Sequence, residues 1–184
     1  GSGKTTFIRE TAARLAKKLR VGVIVGDLAT DNDAAELRKA KIPVVQITTG
    51  TVYHLDAEMV SKAATKLDLD ELDVLVIENV GNLVCPADFK LGTHRSVLVA
   101  SIPEGDDKPY KYPGMYRGVN AVVINKIDLL PYVPFRMDFF KKGIEVLNPG
   151  VTQFELSCQT REGLAGWLAW LEGQVKEYQK IQRK

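Results

Sequence analysis

Cysteine is nearly absent from these 184 residues. Cys85 and Cys158 are the only two, too few for a disulfide framework, and this fits a chain that folds in a reducing compartment such as the cytosol. An excess of one charge is missing as well. The 25 basic and 23 acidic residues leave a net +2, which argues for neither nucleic acid nor an anionic membrane as partner. No run approaches the roughly 18 consecutive apolar residues of a membrane-spanning helix, so no membrane segment is expected. Internal repeats, low-complexity stretches and an interdomain linker are all lacking. What is present is 45% hydrophobic and 26% charged residues, an ordinary globular composition long enough to bury a core without covalent staples. One domain over 1–184 is expected. Its opening, Gly1-Ser2-Gly3-Lys4-Thr5-Thr6, is neither a signal nor a transit peptide.

Helical and strand patterns alternate nearly throughout. Phe7, Ile8, Ala12, Leu15 and Leu19 recur at helical spacing over residues 5–20, with charged residues between them. Further helices are expected over 31–40, capped by Asp31 or Asp33, over 55–67, over 135–147 and from about 161 to the C-terminus. Short apolar runs at 21–25, 43–47, 73–77, 96–100, 121–124 and 152–156 read as strands. Uniformly apolar strands alternating with helices predict an α/β fold, a mostly parallel sheet with helices on both faces. Residues 101–118 carry Pro103, Pro109 and Pro113 with Gly105 and Gly114 and read as a long irregular loop, functional or mobile.

Two motifs carry chemistry. Gly1 to Thr5 match the last five positions of the phosphate-binding pattern G-x-x-x-x-G-K-[ST], and a helix follows as that pattern demands. Gly1 and Gly3 let backbone N–H groups turn towards phosphates, Lys4 reaches the β and γ oxygens, the Thr5 hydroxyl ligates Mg²⁺, and Thr6 continues the cradle. The first glycine of the pattern and the strand before it do not appear, so the domain is expected to be cut within its phosphate loop. Asn125-Lys126-Ile127-Asp128 follows directly on the strand at 121–124. In such a loop Asp128 accepts from N1 and the 2-amino group of guanine, Asn125 reads O6 and N7 and braces the loop, and the Lys126 stem packs over the base. Adenine lacks the 2-amino donor and would leave the carboxylate desolvated and unpaired, which selects GTP over ATP. Ser157 and Cys158, at the end of the strand at 152–156, stand where backbone N–H groups would touch guanine O6.

Two acidic strand ends complete the set. Asp27 closes the strand at 21–25 and Glu78 the strand at 73–77. A carboxylate at a strand's C-terminal end lies beside the ligand in a doubly wound sheet, so one of them is expected to hold Mg²⁺. Gly81 could offer its N–H to a γ-phosphate and hinge a switch. No glutamine follows it; Asn82 stands there, and no residue is assigned to position the attacking water.

The stretch from Ile77 to Ala87, I-E-N-V-G-N-L-V-C-P-A, resembles the signature of the hydrogenase nickel-incorporation GTPases, the HypB family of the SIMIBI class of P-loop GTPases. So do Gly26-Asp27 with Asp31 and Asp33, Thr49-Gly50 with His54 to Ala57, residues 104–113, and Asn125 to Leu130. The resemblance covers essentially the whole chain. It implies a cytosolic GTPase with slow hydrolysis that dimerises when GTP is bound. It also implies help in delivering nickel to the [NiFe]-hydrogenase large-subunit precursor, alongside a nickel-binding maturation protein. The family's dimer-interface site for nickel or zinc uses a Cys-His pair and the cysteine of the C-P step. Here the pair is Tyr53-His54, which leaves His54 and Cys85, with Glu58 as a further oxygen ligand. Two ligands cannot saturate a tetrahedral ion, but two copies across a two-fold axis supply four. His94 and Cys158 have no companion ligands and read as structural. Two alternatives stand beside this reading: a related GTPase serving another metalloenzyme such as urease, and a nucleotide-binding module with a degenerate metal site.

Overall fold

The computed structural model describes residues 1–84 and 90–182. The chain opens with helix α1 (Lys4–Leu15) and proceeds through β1 (Val21–Asp27), α2 (Asn32–Lys39), β2 (Val44–Thr48), α3 (Ala57–Ala64) and β3 (Val74–Glu78). Its second half runs β4 (Val97–Ser101), α4 (Lys108–Lys111), α5 (Pro113–Tyr116), β5 (Ala121–Asn125), α6 (Met137–Leu147), β6 (Thr152–Glu155) and α7 (Leu164–Gln182). Among the described residues every strand pairing is parallel. The α/β architecture read from the sequence is therefore present. The hydrogen-bonded strands form two three-stranded sheets, ordered β2-β1-β3 and β4-β5-β6.

The central strands explain their composition. Along β1, Val23 and Val25 face one side and join Ile8 and Ala12 of α1 and Leu37 of α2. Ile24 faces the other side and joins Leu55 with Val60 and Ala63 of α3. In β5, Val123 meets Phe7, Leu156, Leu164 and Trp167, whereas Val122 and Ile124 meet Tyr116, Phe140 and Ile144. Strands covered on both faces need apolar residues at every position, which is why their runs do not alternate.

One helix touches both sheets. Neighbouring residues of α1 enter different cores, Phe7 with β5 and α7 and Ile8 with β1 and α2. The Thr11 hydroxyl donates to the Phe7 carbonyl at 2.8 Å and accepts from Trp167 Nε1 at 2.9 Å, fastening α7 to α1 inside the core.

Several boundaries differ from the sequence reading, each for a local reason. Helix α1 stops at Leu15 because Arg20 is already bound to the start of β3; its N–H donates to Asp73 Oδ2 at 2.7 Å. Helix α3 starts at Ala57 because the Asp56 carboxylate caps it, accepting from the Met59 N–H at 2.8 Å. Asp31 occupies the N-cap position of α2, but its carboxylate pairs with Arg38 at 2.6 Å instead of capping. The proline-rich 101–118 is structured: Pro109 and Pro113 sit in the first turns of α4 and α5, where a missing N–H breaks no bond, and Tyr116 is buried in the core beneath. Among the described residues no helix is long and apolar enough to cross a membrane.

Thr11→Val keeps the side-chain shape but leaves the Trp167 N–H buried without an acceptor. The unfolding free energy should fall by about 1–3 kcal/mol, read from the denaturant midpoint at unchanged slope.

Candidate nucleotide-binding site

The site is built on the turn into α1. Gly3 is its N-cap residue with φ 85°, in the left-handed region. A Cβ there would also stand 2.9 Å from Asn125 Nδ2, so conformation and space both require glycine. The first N–H groups of α1 have no partner within the helix and carry its positive dipole end, the arrangement that receives an anion. Around this turn lies a polar cavity of about 260 Å³, lined by Gly1 and Gly3 to Thr6 together with Asp33, Glu36 and Glu78. A wider groove of about 480 Å³ runs between Lys18 and the outer face of α7, at the opposite end of α1; its Lys18 and Glu172 already satisfy each other at 2.8 Å.

Thr5 and Glu78 meet inside the cavity. The Thr5 hydroxyl donates to Glu78 Oε1 at 2.8 Å, and both residues are buried. Glu78 Oε2 is buried with no hydrogen-bond partner. Burial pushes the Glu78 carboxyl up to about 7, against the opposing pull of the Thr5 hydroxyl and the Lys4 charge. A cation placed there would favour the ionised form and use the empty oxygen. Lys4 Nζ lies 3.4 Å from where a Gly81 Cβ would stand, so the lysine and Gly81 approach each other across the site.

The two acidic strand ends separate in role. Asp27 Oδ1 accepts from the N–H groups of Ala29 and Thr30 at 3.0 and 2.7 Å and from the Thr30 hydroxyl at 3.0 Å. The Thr30 N–H leads the contacts that hold this carboxyl below its usual range. It closes its own loop and is not among the residues that line the cavity, whereas Glu78 is.

Asn125, at the buried end of β5, donates from Nδ2 to the Ser2 carbonyl at 3.0 Å. Its Oδ1 accepts from the Lys126 N–H at 2.8 Å and from the Cys158 N–H at 3.4 Å. Lys126 has φ 63°, and its Nζ donates to the Gly1 carbonyl at 2.7 Å. These two residues therefore clamp the backbone of the phosphate loop, a use of Lys126 beyond the expected packing over a base. Asp128 Oδ1 is buried without a partner. The Ser157 and Cys158 N–H groups both have acceptors within the chain. The Ser157 N–H donates to the Glu162 carbonyl at 3.0 Å and the Cys158 N–H to Asn125 Oδ1, so this turn braces Asn125. Burial pushes the Cys158 thiol up to about 11, which keeps it neutral.

The expected metal ligands are only partly in view. His54 is half-buried in the loop before α3, and Glu58 is exposed in the first turn of α3. Cys85 lies outside the described residues. Among the described residues no three His, Cys, Asp or Glu side chains converge as a metal set.

The profile described as "CobW/HypB/UreG, nucleotide-binding domain" matches residues 1–155. The chain belongs to that family. The hydrogenase maturation factor HypB of Escherichia coli K12 is 46% identical over 174 residues, covering 95% of this chain. The chain spans 60% of that relative's length. HypB from Helicobacter pylori, solved in complex with nickel, matches with a TM-score of 0.91 at 39% identity, covering 97% of this chain and 84% of the other. The hydrogenase maturation factor HypB from Archaeoglobus fulgidus matches with a TM-score of 0.87 at 35% identity, over 95% and 85%. Family membership and the parallel α/β fold thus agree with the resemblance read from the sequence.

Two cavity residues were given no role at the site by the sequence, where Asp33 reads only as a helix cap and as part of the family resemblance. Asp33 and Glu36 stand three apart on α2, whose Ala34 and Leu37 face the core; Arg9 of α1 holds Glu36 at 2.5 Å. The signal available was an acidic i, i+3 pair opening the helix after a strand end, where ligands gather in this family's sheet. Gly3→Ala should lower stability by about 1–2 kcal/mol through left-handed strain. It should also weaken nucleotide binding by at least roughly tenfold, since about 1.4 kcal/mol lost at the displaced clamp suffices. Denaturant melts and calorimetric titration check the two effects separately.

Proposed function

We propose that this domain binds GTP with Mg²⁺, hydrolyses it slowly to GDP and phosphate, and uses the nucleotide state to control nickel delivery during hydrogenase maturation. The observation that carries the reading is a pair of buried carboxylate oxygens without partners, Asp128 Oδ1 and Glu78 Oε2. A desolvated, unpaired acceptor costs about 1–3 kcal/mol, so each marks a place where a ligand donor or a cation improves the site. Asp128 suits the N1 and 2-amino donors of guanine. Glu78 and Thr5 suit Mg²⁺, which would neutralise phosphate charge there. Lys4 and the N–H groups of the loop from Gly1 to Thr6 suit the phosphates, and Gly81 faces Lys4 across them.

The metal half of the proposal rests on the family and on the nickel complex of the Helicobacter pylori relative. His54 and Cys85, doubled in a GTP-dependent homodimer, would carry nickel or zinc, with Glu58 at their edge. The cargo would pass, with a nickel-binding maturation partner, to the hydrogenase large-subunit precursor in the cytosol.

Two experiments test this. GTP should bind at least roughly a hundredfold tighter than ATP, about 2.7 kcal/mol, and Asp128→Ala should abolish the preference; equal affinities in the unaltered protein would refute guanine recognition. A non-hydrolysable GTP analogue with Mg²⁺ should raise the dimer fraction in light scattering, and His54→Ala should lower the bound nickel per dimer. A monomer indifferent to nucleotide would remove the switch from the proposal.

A further inference from the structure

The loop that carries His54 is pinned at both ends beside the two acidic strand ends. At its start, the Thr49 N–H donates to the Asp27 carbonyl and the Gly50 N–H to the Leu28 carbonyl, both at 2.9 Å. At its end, the Leu55 N–H donates to Asn79 Oδ1 at 3.0 Å. The same oxygen accepts from the Val80 N–H at 2.8 Å. Leu55 is fully buried and so close to β1 that a Cβ on Gly26 would lie 2.7 Å from it. His54 is its immediate neighbour.

The pin at Asn79 differs from the other two. It is a side chain, and it sits between the carboxylate bonded to Thr5 and the Val80–Gly81 backbone that approaches Lys4. Glu78 and Gly81 cannot shift towards a ligand on the phosphate loop without carrying Asn79 with them. When Asn79 moves, the Leu55 N–H must follow or lose its acceptor, and a buried N–H without an acceptor is costly. The Leu55 side chain is wedged against Gly26, so the movement falls on the planar peptide bond that joins Leu55 to His54.

We infer that Asn79 is a positioning residue that transmits the nucleotide state of the phosphate loop to the turn carrying His54. The inference rests on the nucleotide-controlled metal reading above and adds the link between its two sites. Coupling of this kind is reciprocal: whatever nucleotide does to metal affinity, metal does to nucleotide affinity by the same factor.

The test reads the link directly, without metal. In the full-length protein, exchange of the Leu55 amide proton is followed by NMR with GDP·Mg²⁺ and with a non-hydrolysable GTP analogue·Mg²⁺. Its protection should differ between the two states by at least about fivefold, the lower end of ordinary coupling. In Asn79→Ala the difference should vanish while both nucleotides still bind; Asn79→Asp, which keeps an acceptor oxygen, should retain it. Ni²⁺ affinity, measured by competition with a chromophoric chelator, should differ between the nucleotide states in the unaltered protein and in Asn79→Asp, and become equal in Asn79→Ala. Persistence of the nucleotide-dependent difference in Asn79→Ala overturns the inference. So does equal Leu55 protection in the unaltered protein, even where Ni²⁺ affinity still follows nucleotide and the functional reading survives. Conversely, nucleotide-dependent Leu55 protection in a protein that binds no Ni²⁺ upholds the link and defeats the metal reading. Failure to bind either nucleotide overturns both.

Discussion

The placement of α1 is the constraint on which the rest depends. Two adjacent residues, Phe7 and Ile8, are buried in separate cores belonging to the two sheets. A helix shared in this way cannot rotate or slide without loosening both halves, because close-packed side chains do not deform continuously. Its N-terminus is therefore a fixed point, and Gly3 and the clamp from Asn125 and Lys126 hold the preceding residues to it. The phosphate cradle is rigid because the helix behind it is held by two cores.

Polar groups in the site follow a different economy from those elsewhere in the molecule. Asp27, Asp56 and Asp73 each satisfy neighbouring backbone N–H groups and thereby close a loop, a helix start or a strand start. Glu78 and Asp128 keep an oxygen buried and unmatched. Protein interiors seldom tolerate that; among the described residues the other two such oxygens belong to the neutral amides of Gln46 and Gln153, whereas the two carboxylates fall at a C-terminal strand end or just beyond one, β3 for Glu78 and β5 for Asp128. The distinction between structural and ligand-seeking acids is thus visible in which oxygens already have partners.

Much of the fold was legible because its signals are local. Uniform apolar runs mark β1, β3 and β5, and helical spacing marks α1 and α6. Gly3-Lys4-Thr5 and Asn125 to Asp128 are contiguous, so their chemistry could be read without a structure. What could not be read depends on direction and distance. The carboxylates of Asp27 and Glu78 look alike in sequence, and only the turn at Ala29 and Thr30 draws the first away from the cavity. Asp33 and Glu36 line the site because Ala34 and Leu37 turn the other face of α2 into the core. The proline-rich 101–118 reads as irregular, yet two prolines fall where a short helix can use them. The bonds from Lys126 to Gly1 and from Trp167 to Thr11 join residues far apart in the chain, and no spacing rule anticipates them.

The contact between α7 and α1 has an optical consequence. The protein has two tryptophans, Trp167 and Trp170, and both lie in the aromatic group around Phe7 and Phe154, with Trp167 centred 4.8 Å from Phe7 and 5.4 Å from Trp170. Near-ultraviolet absorption and emission from indole therefore report on one contact, the seating of α7 against the helix that follows the phosphate loop. The indole hydrogen bond to Thr11 places that chromophore about two turns from Lys4 along the same helix. The molecule carries its own spectroscopic gauge of how firmly the cradle is held, with no label required.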